Sequence, residues 1–409
     1  MREEPAGGPE ESLNELAELA RSAGADVLDR LVQSRETPEA ATLIGRGKIE
    51  ELRARARALG ADVVLFDRDL TPTQQRNLER ELGVKVIDRT QLILDIFARR
   101  ARTREGQLQV ELAQLNYLLP RLAGRGVEMS RLGGGIGTRG PGETQLETDR
   151  RRIFRRIRHI KEQLEAVRAS RGRQRSKRVA VPLDTIALVG YTNAGKSTLF
   201  NALTSAGVLE SSRLFATLDP TVRSLELPSH RRVLVSDTVG FIRRLPTTLV
   251  QAFRATLEEV CEAALILHVV DLSSPVRREQ EAQVEKVLAE IGAQDKPRVL
   301  VLNKIDLVPE SERAAVTEAE KQAWPSSPVV AVSALTGEGL PALLEVLDRS
   351  PALEPITRAH FHFDQREGDK ISYLHDHGLV LETRYTDSGV DILATVTDSV
   401  RRRLQENLS

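Results

Sequence analysis

The chain has 409 residues, of which 40% are hydrophobic, and its 59 basic residues balance 59 acidic ones. This length predicts about three domains of roughly 150 residues each, and the neutral balance neither indicates nor excludes a polyanionic partner. The single Cys261 excludes an internal disulfide and is typical of a cytoplasmic protein. The most apolar run, AALILHVV at residues 263–270, is too short to span a bilayer, so we expect no stable membrane insertion. Peripheral association with a membrane stays compatible with the composition.

Residues 10–105 alternate between helical and strand patterns and predict a small α/β domain. Short buried strands are predicted at residues 63–66 and 84–87, and helices at residues 48–59 and 73–82. The GRGK segment at residues 45–48 fits a turn and a helix start better than a second nucleotide site, because its spacing matches no phosphate-binding motif.

Residues 106–178 predict an antiparallel helical hairpin. Apolar residues recur in heptad-like steps in both halves, at Leu108, Leu112, Leu115 and Leu119, and at Ile153, Ile157, Ile160, Leu164 and Val167. Between them, LGGGIGTRGPGETQLE at residues 132–147 is too rich in glycine to continue a helix and predicts a tip loop. Thr144 and Glu147 have the spacing of a capping box at the start of the second helix.

The second half of this hairpin carries a local charge that the neutral total hides. Residues 149–178 contain 13 Lys or Arg against 3 acidic residues. A solvated helix face followed by a basic linker is the simple interpretation. Because a glycine-rich tip lies at one end of the same helix, binding of a phosphate backbone becomes the stronger hypothesis, and the scarcity of aromatic residues favours recognition by shape over base stacking.

Residues 184–350 alternate between apolar strands and helices, the pattern of a mostly parallel sheet flanked by helices. The predicted strands are residues 186–189, 233–235, 264–270, 298–302 and 329–332. Residues 355–409 predict a small α+β domain with strands at 360–363, 380–385 and 390–396 and helices at 366–377 and 399–407.

GYTNAGKS at residues 190–197 comes directly after the first of these strands and has the spelling of a phosphate loop. Gly190 and Gly195 allow the backbone N–H groups from Asn193 onward to wrap a β-phosphate. Lys196 is placed to reach the β- and γ-phosphates, and Ser197 to ligate Mg²⁺.

Three downstream motifs make this a guanine-nucleotide site. DTVG at residues 237–240 places Asp237 beside a metal-bound water and the Gly240 N–H at the γ-phosphate. NKID at residues 303–306 places Asp306 to accept from the ring N–H and the exocyclic amine of guanine, a pair that adenine cannot offer. In SAL at residues 333–335, the N–H of Ala334 can donate to the guanine carbonyl.

Three features of the sequence bear on GTP hydrolysis. FATLDPT at residues 215–221 lies where a first switch is expected, with Thr217 as the predicted Mg²⁺ ligand and Thr221 as the rival. Phe241 stands where many GTPases have a glutamine that orients the attacking water, so we expect slow intrinsic hydrolysis. Packing beneath the second switch is an equally compatible role for Phe241. Asn193 resembles the asparagine of potassium-stimulated GTPases, which predicts a K⁺ site.

GYTNAGKSTLFN, FATLDPT, DTVGFI and especially GGGIGTRGPGETQLETDRR together resemble the HflX family of ribosome-associated GTPases over nearly the whole chain. The resemblance implies an α/β fold in which the GTPase domain comes after a small α/β domain with a helical hairpin and precedes a small C-terminal domain. It also implies GTP hydrolysis on the large ribosomal subunit, with the hairpin, from Gly133 to Gly142 at its tip and Arg150 to Arg178 on its basic face, directed at ribosomal RNA near the peptidyl transferase region.

The nucleotide-binding residues carried over by position share the five motifs. They are Gly190, Tyr191, Thr192, Asn193, Ala194, Gly195, Lys196, Ser197, Thr198, Phe215, Ala216, Thr217, Leu218, Asp219, Asp237, Thr238, Val239, Gly240, Asn303, Lys304, Ile305, Asp306, Ser333, Ala334 and Leu335. The catalytic assignments are Lys196, Thr217 and Gly240, and the metal ligands Ser197 and Thr217.

Three hypotheses for the cellular role stay open at this point. The first is a monomeric cytoplasmic GTPase that couples its nucleotide state to dissociation of ribosomal subunits or rescue of stalled ribosomes under stress. The second is a GTPase that assembles the large subunit. The third is a nucleotide-gated adaptor that docks a protein and makes no nucleic-acid contact, although arginines on the hairpin favour RNA.

Overall fold

The computed structural model describes residues 8–34, 37–122, 141–178, 183–204, 215, 221–243, 254–364, 366–386 and 389–405. The chain divides into two compact units. The first comprises Met1–Ser170, Ser212–Leu218 and Arg244–Arg254, and the second comprises Arg171–Ser211, Asp219–Arg243 and Ala255–Ser409.

The first unit begins with a small α/β domain around a two-stranded parallel sheet. Its elements are α1 (Gly8–Ser22), α2 (Arg46–Leu59), β1 (Val63–Phe66), α3 (Pro72–Leu82), β2 (Lys85–Asp88) and α4 (Arg89–Arg100). Gly45 is the extended N-cap of α2, so GRGK forms the predicted helix start, and the turn lies before it at residues 40–42. Thr71 and Gln74 form a capping box at the start of α3, where Pro72 fits because the first helical N–H has no partner within the helix.

The helical hairpin consists of α5 (Arg104–Leu122) and α6 (Pro141–Arg178). Leu108 of α5 packs with the buried Ile160 and Leu164 of α6 in one apolar cluster. The Arg156 guanidinium of α6 donates two hydrogen bonds to the Glu111 carboxylate of α5, from Nε at 2.6 Å and from Nη2 at 2.7 Å. The predicted seams therefore meet, and an ion pair joins the helices outside them.

The limits of α6 differ from the predicted ones. The helix begins at Pro141, so residues 141–147 are helical and the predicted capping box at Thr144 is wrong. Proline is well suited to the first helical position because its φ is already helical. The helix also continues through the predicted basic linker to Arg178, since Arg, Gln and Lys are good helix formers. Residues 123–140, which include most of the predicted tip, lie outside the described part of the chain.

The domain predicted at residues 184–350, in the second unit, contains a six-stranded sheet in the order β4-β5-β3-β6-β7-β8. Its elements are β3 (Thr185–Gly190), α7 (Lys196–Thr204), β4 (Thr221–Glu226), β5 (Arg232–Asp237), α8 (Arg254–Glu262), β6 (Leu265–Asp271), α9 (Arg277–Glu290), β7 (Arg298–Asn303), α10 (Glu310–Ala323), β8 (Val329–Ala331) and α11 (Leu340–Asp348). All neighbouring strands are parallel except β4 and β5. The predicted fold class is confirmed, but the sequence analysis missed β4, because TVRSLE at the sheet edge buries only Leu225.

Residues 356–405 form a three-stranded antiparallel sheet with two helices. The elements are β9 (Ile356–Phe363), α12 (Gly368–His377), β10 (Leu379–Thr386), β11 (Gly389–Thr397) and α13 (Asp398–Gln405). Phe361, Ile392 and Leu404 are central to its apolar core. Among the helices in the described ranges, none combines the length and the apolar character that a membrane crossing requires.

Candidate nucleotide site

The phosphate loop connects the buried strand β3 to α7. Gly195 has φ 90°, and a Cβ on it would lie 2.2 Å from Nδ2 of Asn303, so this position needs glycine for both its conformation and its space. Asn193 also has a left-handed φ of 64°, which asparagine tolerates better than most residues. The loop therefore adopts a turn that its residue types specifically permit.

Lys196 lies inside this loop with 6% of its surface exposed. Its Nζ donates to the carbonyl oxygens of Gly190 at 3.2 Å and Tyr191 at 2.9 Å. Burial lowers the pKa of Lys196 to about 8, and the nearby Asp237 carboxylate opposes that shift. A phosphate group here would restore the preference for the charged ammonium.

Ser197 and Asp237 lie together at the start of α7 and the end of β5. The Ser197 hydroxyl donates to the Asp237 carboxylate at 2.8 Å. A hydroxyl and a carboxylate are oxygen ligands of the kind that Mg²⁺ prefers, so this pair fits the predicted metal position. Thr221, the rival first-switch threonine, is the first residue of β4 and pairs across the sheet with Asp237.

The second switch motif lies directly against the phosphate loop. A Cβ on Gly240 would come within 2.9 Å of Lys196 Nζ, so only glycine fits at this point. The backbone N–H of Phe241 donates to the Gly190 carbonyl at 3.1 Å, and its carbonyl accepts from the Thr192 N–H at 2.7 Å. The Phe241 side chain is fully buried, which agrees with the predicted packing role of this residue.

Two of the residues predicted to recognise the base, Asn303 and Lys304, are held by side-chain contacts to other segments of the sheet domain. Asn303 donates from Nδ2 to the Ala194 carbonyl at 2.9 Å and accepts at Oδ1 from the Ala334 N–H at 3.0 Å. Lys304 has φ 65°, and its Nζ donates to the Asp271 carboxylate at 2.6 Å. Asp306 is half-buried in the adjoining turn of 3₁₀ helix, Ile305–Leu307.

Other predicted residues separate into two groups. Thr238 is buried and donates from its hydroxyl to the Leu188 carbonyl at 2.6 Å, and Ser333 accepts at its hydroxyl from the Thr336 N–H at 3.1 Å. By contrast, Ala216, Thr217, Leu218 and Asp219 lie outside the described residues. Phe215 belongs to the first unit, where its ring meets the edge of Phe97 at a centroid distance of 4.6 Å.

Two contributors were missed by sequence reasoning. Asp271 fixes Lys304, and its position at the carboxyl end of β6 was a usable signal, since ligand sites of parallel sheets collect at that edge. Arg243, just after the second switch motif, donates its backbone N–H to the Tyr191 hydroxyl at 2.8 Å. No sequence pattern indicated that contact.

The hairpin carries the second candidate surface. On α6, Arg151 and Arg152 have more than two-thirds of their side chains exposed, whereas Arg156 is neutralised by Glu111. The cations of this helix whose side chains are described as exposed are Arg150, Arg151, Arg152, Arg155, Arg156, Arg158 and Lys161. Phe154 is also 47% exposed, with the Arg150 guanidinium 5.6 Å from its ring centroid.

Comparison with known proteins matches three family models. They are described as GTP-binding GTPase N-terminal at residues 10–98, GTP-binding GTPase Middle Region at residues 100–178, and 50S ribosome-binding GTPase at residues 185–304. The GTPase HflX of Caldanaerobacter subterraneus is 49% identical over 399 residues, covering 97% of this chain and 90% of that protein.

Two further relatives extend the comparison. The GTPase HflX of Escherichia coli is 48% identical over 337 residues, covering 82% of this chain and 78% of that protein. A solved GTP-binding protein from Sulfolobus solfataricus in complex with GDP is 26% identical, with a TM-score of 0.45, and the match covers 82% of this chain and 94% of that one.

Proposed function

The chain belongs to the HflX family of GTPases, it binds guanine nucleotide and hydrolyses GTP, and from that premise we propose that its GTP cycle acts on the large ribosomal subunit. In this proposal the protein works in the cytoplasm as a monomer, and its nucleotide state controls the separation of ribosomal subunits. The observation that carries the proposal is the row of exposed cations on α6.

Within the site, Lys196 holds the β- and γ-phosphates, Gly240 contacts the γ-phosphate through its N–H, and Asp306 selects guanine. Mg²⁺ binds at Ser197, whose hydroxyl lies 2.8 Å from the Asp237 carboxylate, with Thr217 as the further ligand. When bound, the metal neutralises charge on the phosphates. The motif residues within 190–198, 215–219, 237–240, 303–306 and 333–335 make up the remainder of the proposed site.

A K⁺ ion near Asn193 is the second cofactor that we propose. Asn193 has a left-handed φ of 64° and lies in the phosphate loop three residues before Lys196. Hydrolysis should then be faster in KCl than in NaCl at equal ionic strength. Equal rates in the two salts would refute the K⁺ site.

The hairpin supplies the proposed contact with ribosomal RNA. Exposed arginines and lysines neutralise phosphates and release counterions, which makes binding depend steeply on salt. Because one helix presents these cations over residues 150–161, it suits the backbone of a structured RNA better than isolated bases. An adaptor that docks a protein would instead need an apolar outer stripe.

Sedimentation of the protein with purified ribosomes, in a non-hydrolysable GTP analogue, tests this interface. The variant R151A/R155A/R158A should bind more weakly and lower the slope of log affinity against log salt by about 2 to 3, since three cations are removed. R46A/R57A/R80A removes three exposed arginines of the first unit as a matched control. An equal effect of both triple variants would refute a specific hairpin contact.

Deletion of residues 132–140 leaves Pro141 and the start of α6 in place and tests the predicted tip. Binding without subunit separation by the full chain would favour the large-subunit assembly role. Absence of co-sedimentation for the full chain at low salt would favour the protein adaptor.

A further inference from the structure

Arg243 is held in a defined position beside the phosphate loop. Tyr191 and Phe241 form a parallel bridge between the loop and the second switch motif. Two residues farther on, the backbone N–H of Arg243 donates to the Tyr191 hydroxyl at 2.8 Å. The backbone from Gly240 to Arg243 is thus tied to the loop that carries Lys196.

Arg243 is half-buried, and the end of its side chain is enclosed by the protein. Both terminal nitrogens of its guanidinium are inaccessible to solvent and form no hydrogen bond in the described part of the chain. The hydroxyl of Thr192, a residue 6% exposed, is likewise inaccessible and unbonded there. Thr192 also contacts the Gly240 position, where an added Cβ would lie 2.9 Å from its Cγ2.

Burial of two guanidinium nitrogens without a hydrogen-bond partner is unfavourable, because the energy lost on removing these donors from water is not regained by any bond. The Arg243 backbone is held at the meeting of the phosphate loop and the second switch motif, and its two buried guanidinium nitrogens and the buried Thr192 hydroxyl are donors without a hydrogen-bond partner among the described residues. Such donors are suited to receive an anion. The anion that the established activity brings to this place is the γ-phosphate of GTP, beside Lys196 and Gly240.

We propose that Arg243 is a catalytic residue supplied in cis to the γ-phosphate, with the Thr192 hydroxyl donating beside it. In hydrolysis a water oxygen forms a bond to the γ-phosphorus, the bond from that phosphorus to the oxygen bridging to the β-phosphate breaks, and the water proton ends on the released phosphate. Negative charge rises on the γ- and bridging oxygens, where a guanidinium stabilises it. This supplies a stabilising group that Phe241 cannot.

Single-turnover hydrolysis by R243A, R243K and T192V in the full chain tests the proposal. We expect R243A to be slower by about 100-fold or more, while its affinity for GDP, which has no γ-phosphate, stays within about twofold. R243K should be intermediate, since lysine gives a point charge without the planar fork. The matched control is R232A, which removes an exposed arginine of β5.

Binding of GDP together with fluoroaluminate, which mimics the transition state, is a second measurement. A purely structural role of Arg243 would not weaken this binding while leaving GDP binding intact. R243A should fail to form this transition-state mimic while keeping the melting temperature of R232A. Hydrolysis by R243A equal to that of R232A would overturn the proposal. A parallel loss of GDP affinity would assign a structural role instead, and recovery of R243A in KCl alone would assign the charge to a monovalent cation.

Discussion

At the scale of single residues, Asn303 shows how the site is held together. Its side chain bonds Ala194, which is 109 positions away, and Ala334, which is 31 positions away. The NKID motif identified Asn303 as a site residue, but only the folded chain identifies the two backbone groups that it joins. The sequence could predict which residues belong to the site because each motif is a short contiguous segment. Their hydrogen-bond partners depend on how distant segments meet.

Asp306→Asn should change the preferred base. Asparagine keeps the size of the side chain but cannot accept from both guanine donors, so GTP affinity should fall by about 100-fold or more while xanthosine triphosphate affinity rises. Competition between the two nucleotides measures the change. Asp295→Asn alters an exposed aspartate outside the motifs and serves as control; unaltered guanine selectivity in Asp306→Asn would disprove its role.

Lys196 makes GDP affinity depend on pH. Its pKa of about 8 without nucleotide lies below the usual 10.5, and phosphate binding raises it, so binding takes up a proton above pH 8. Affinity should therefore be flat below about pH 8 and decline above it. Fluorescent GDP titrations up to pH 9, below ionisation of the guanine ring, measure this. Lys196→Gln should bind GDP weakly, with an affinity that does not decline above pH 8. The same dependence of GDP affinity on pH in Lys196→Gln and in the unsubstituted protein would contradict the assignment to Lys196.

The pKa of Lys196 also affects folding. Without nucleotide, its folded pKa is depressed below the unfolded value, so the unfolded chain binds more protons between about pH 8 and pH 10.5. This residue therefore makes the apo fold relatively more stable as pH rises through that window.

At the scale of elements, the hairpin combines an apolar seam with a charged exterior. Ile160 of α6 is fully buried against Leu108 and Leu164, while the cations lie on other faces of the same helix. Heptad spacing predicted the seam because residues three and four apart share a helix face. It could not predict where α6 begins and ends, since helix limits depend on the terminal residues and on the conformation of the segments that flank the helix.

Ile160→Ala should loosen the hairpin. Removal of most of this buried side chain leaves a cavity and should lower the local stability by about 2–5 kcal/mol. Hydrogen exchange of α5 and α6 is the suitable measurement, because a chain of several domains does not unfold in one transition. Ile153→Ala, at a half-buried seam position, should accelerate exchange less. Equal exchange in the two variants would contradict the packing described for Ile160.

At the scale of the whole molecule, Glu354 joins the GTPase domain to the C-terminal sheet within the second unit. Its backbone N–H donates to Asp184 just before β3, and its carbonyl accepts from Arg231 at 2.6 Å. Its carboxylate accepts from the N–H and hydroxyl of Ser399 at the start of α13. A negative side chain also suits that helix N-terminus.

Glu354→Ala should loosen the C-terminal sheet from the GTPase domain. The loss of two hydrogen bonds to the carboxylate should cost about 1–3 kcal/mol, seen as faster hydrogen exchange in β9 and β11 with GDP affinity unchanged. The control is Glu345→Ala, which removes a glutamate with 58% side-chain exposure that pairs with Arg349 four residues on. Unchanged exchange in Glu354→Ala would show that the junction does not depend on this carboxylate.

The sequence alone determined the nucleotide chemistry and the class of fold. Phosphate, metal and base recognition depend on short contiguous motifs, and alternating apolar runs identify parallel strands, so both are readable from local order. The tertiary structure decided the features that depend on distant segments. They include the antiparallel edge strand β4, the full burial of Phe241, and the two buried Arg243 nitrogens that have no hydrogen-bond partner among the described residues. Burial and pairing arise only when remote parts of the chain exclude water together, which no local pattern encodes.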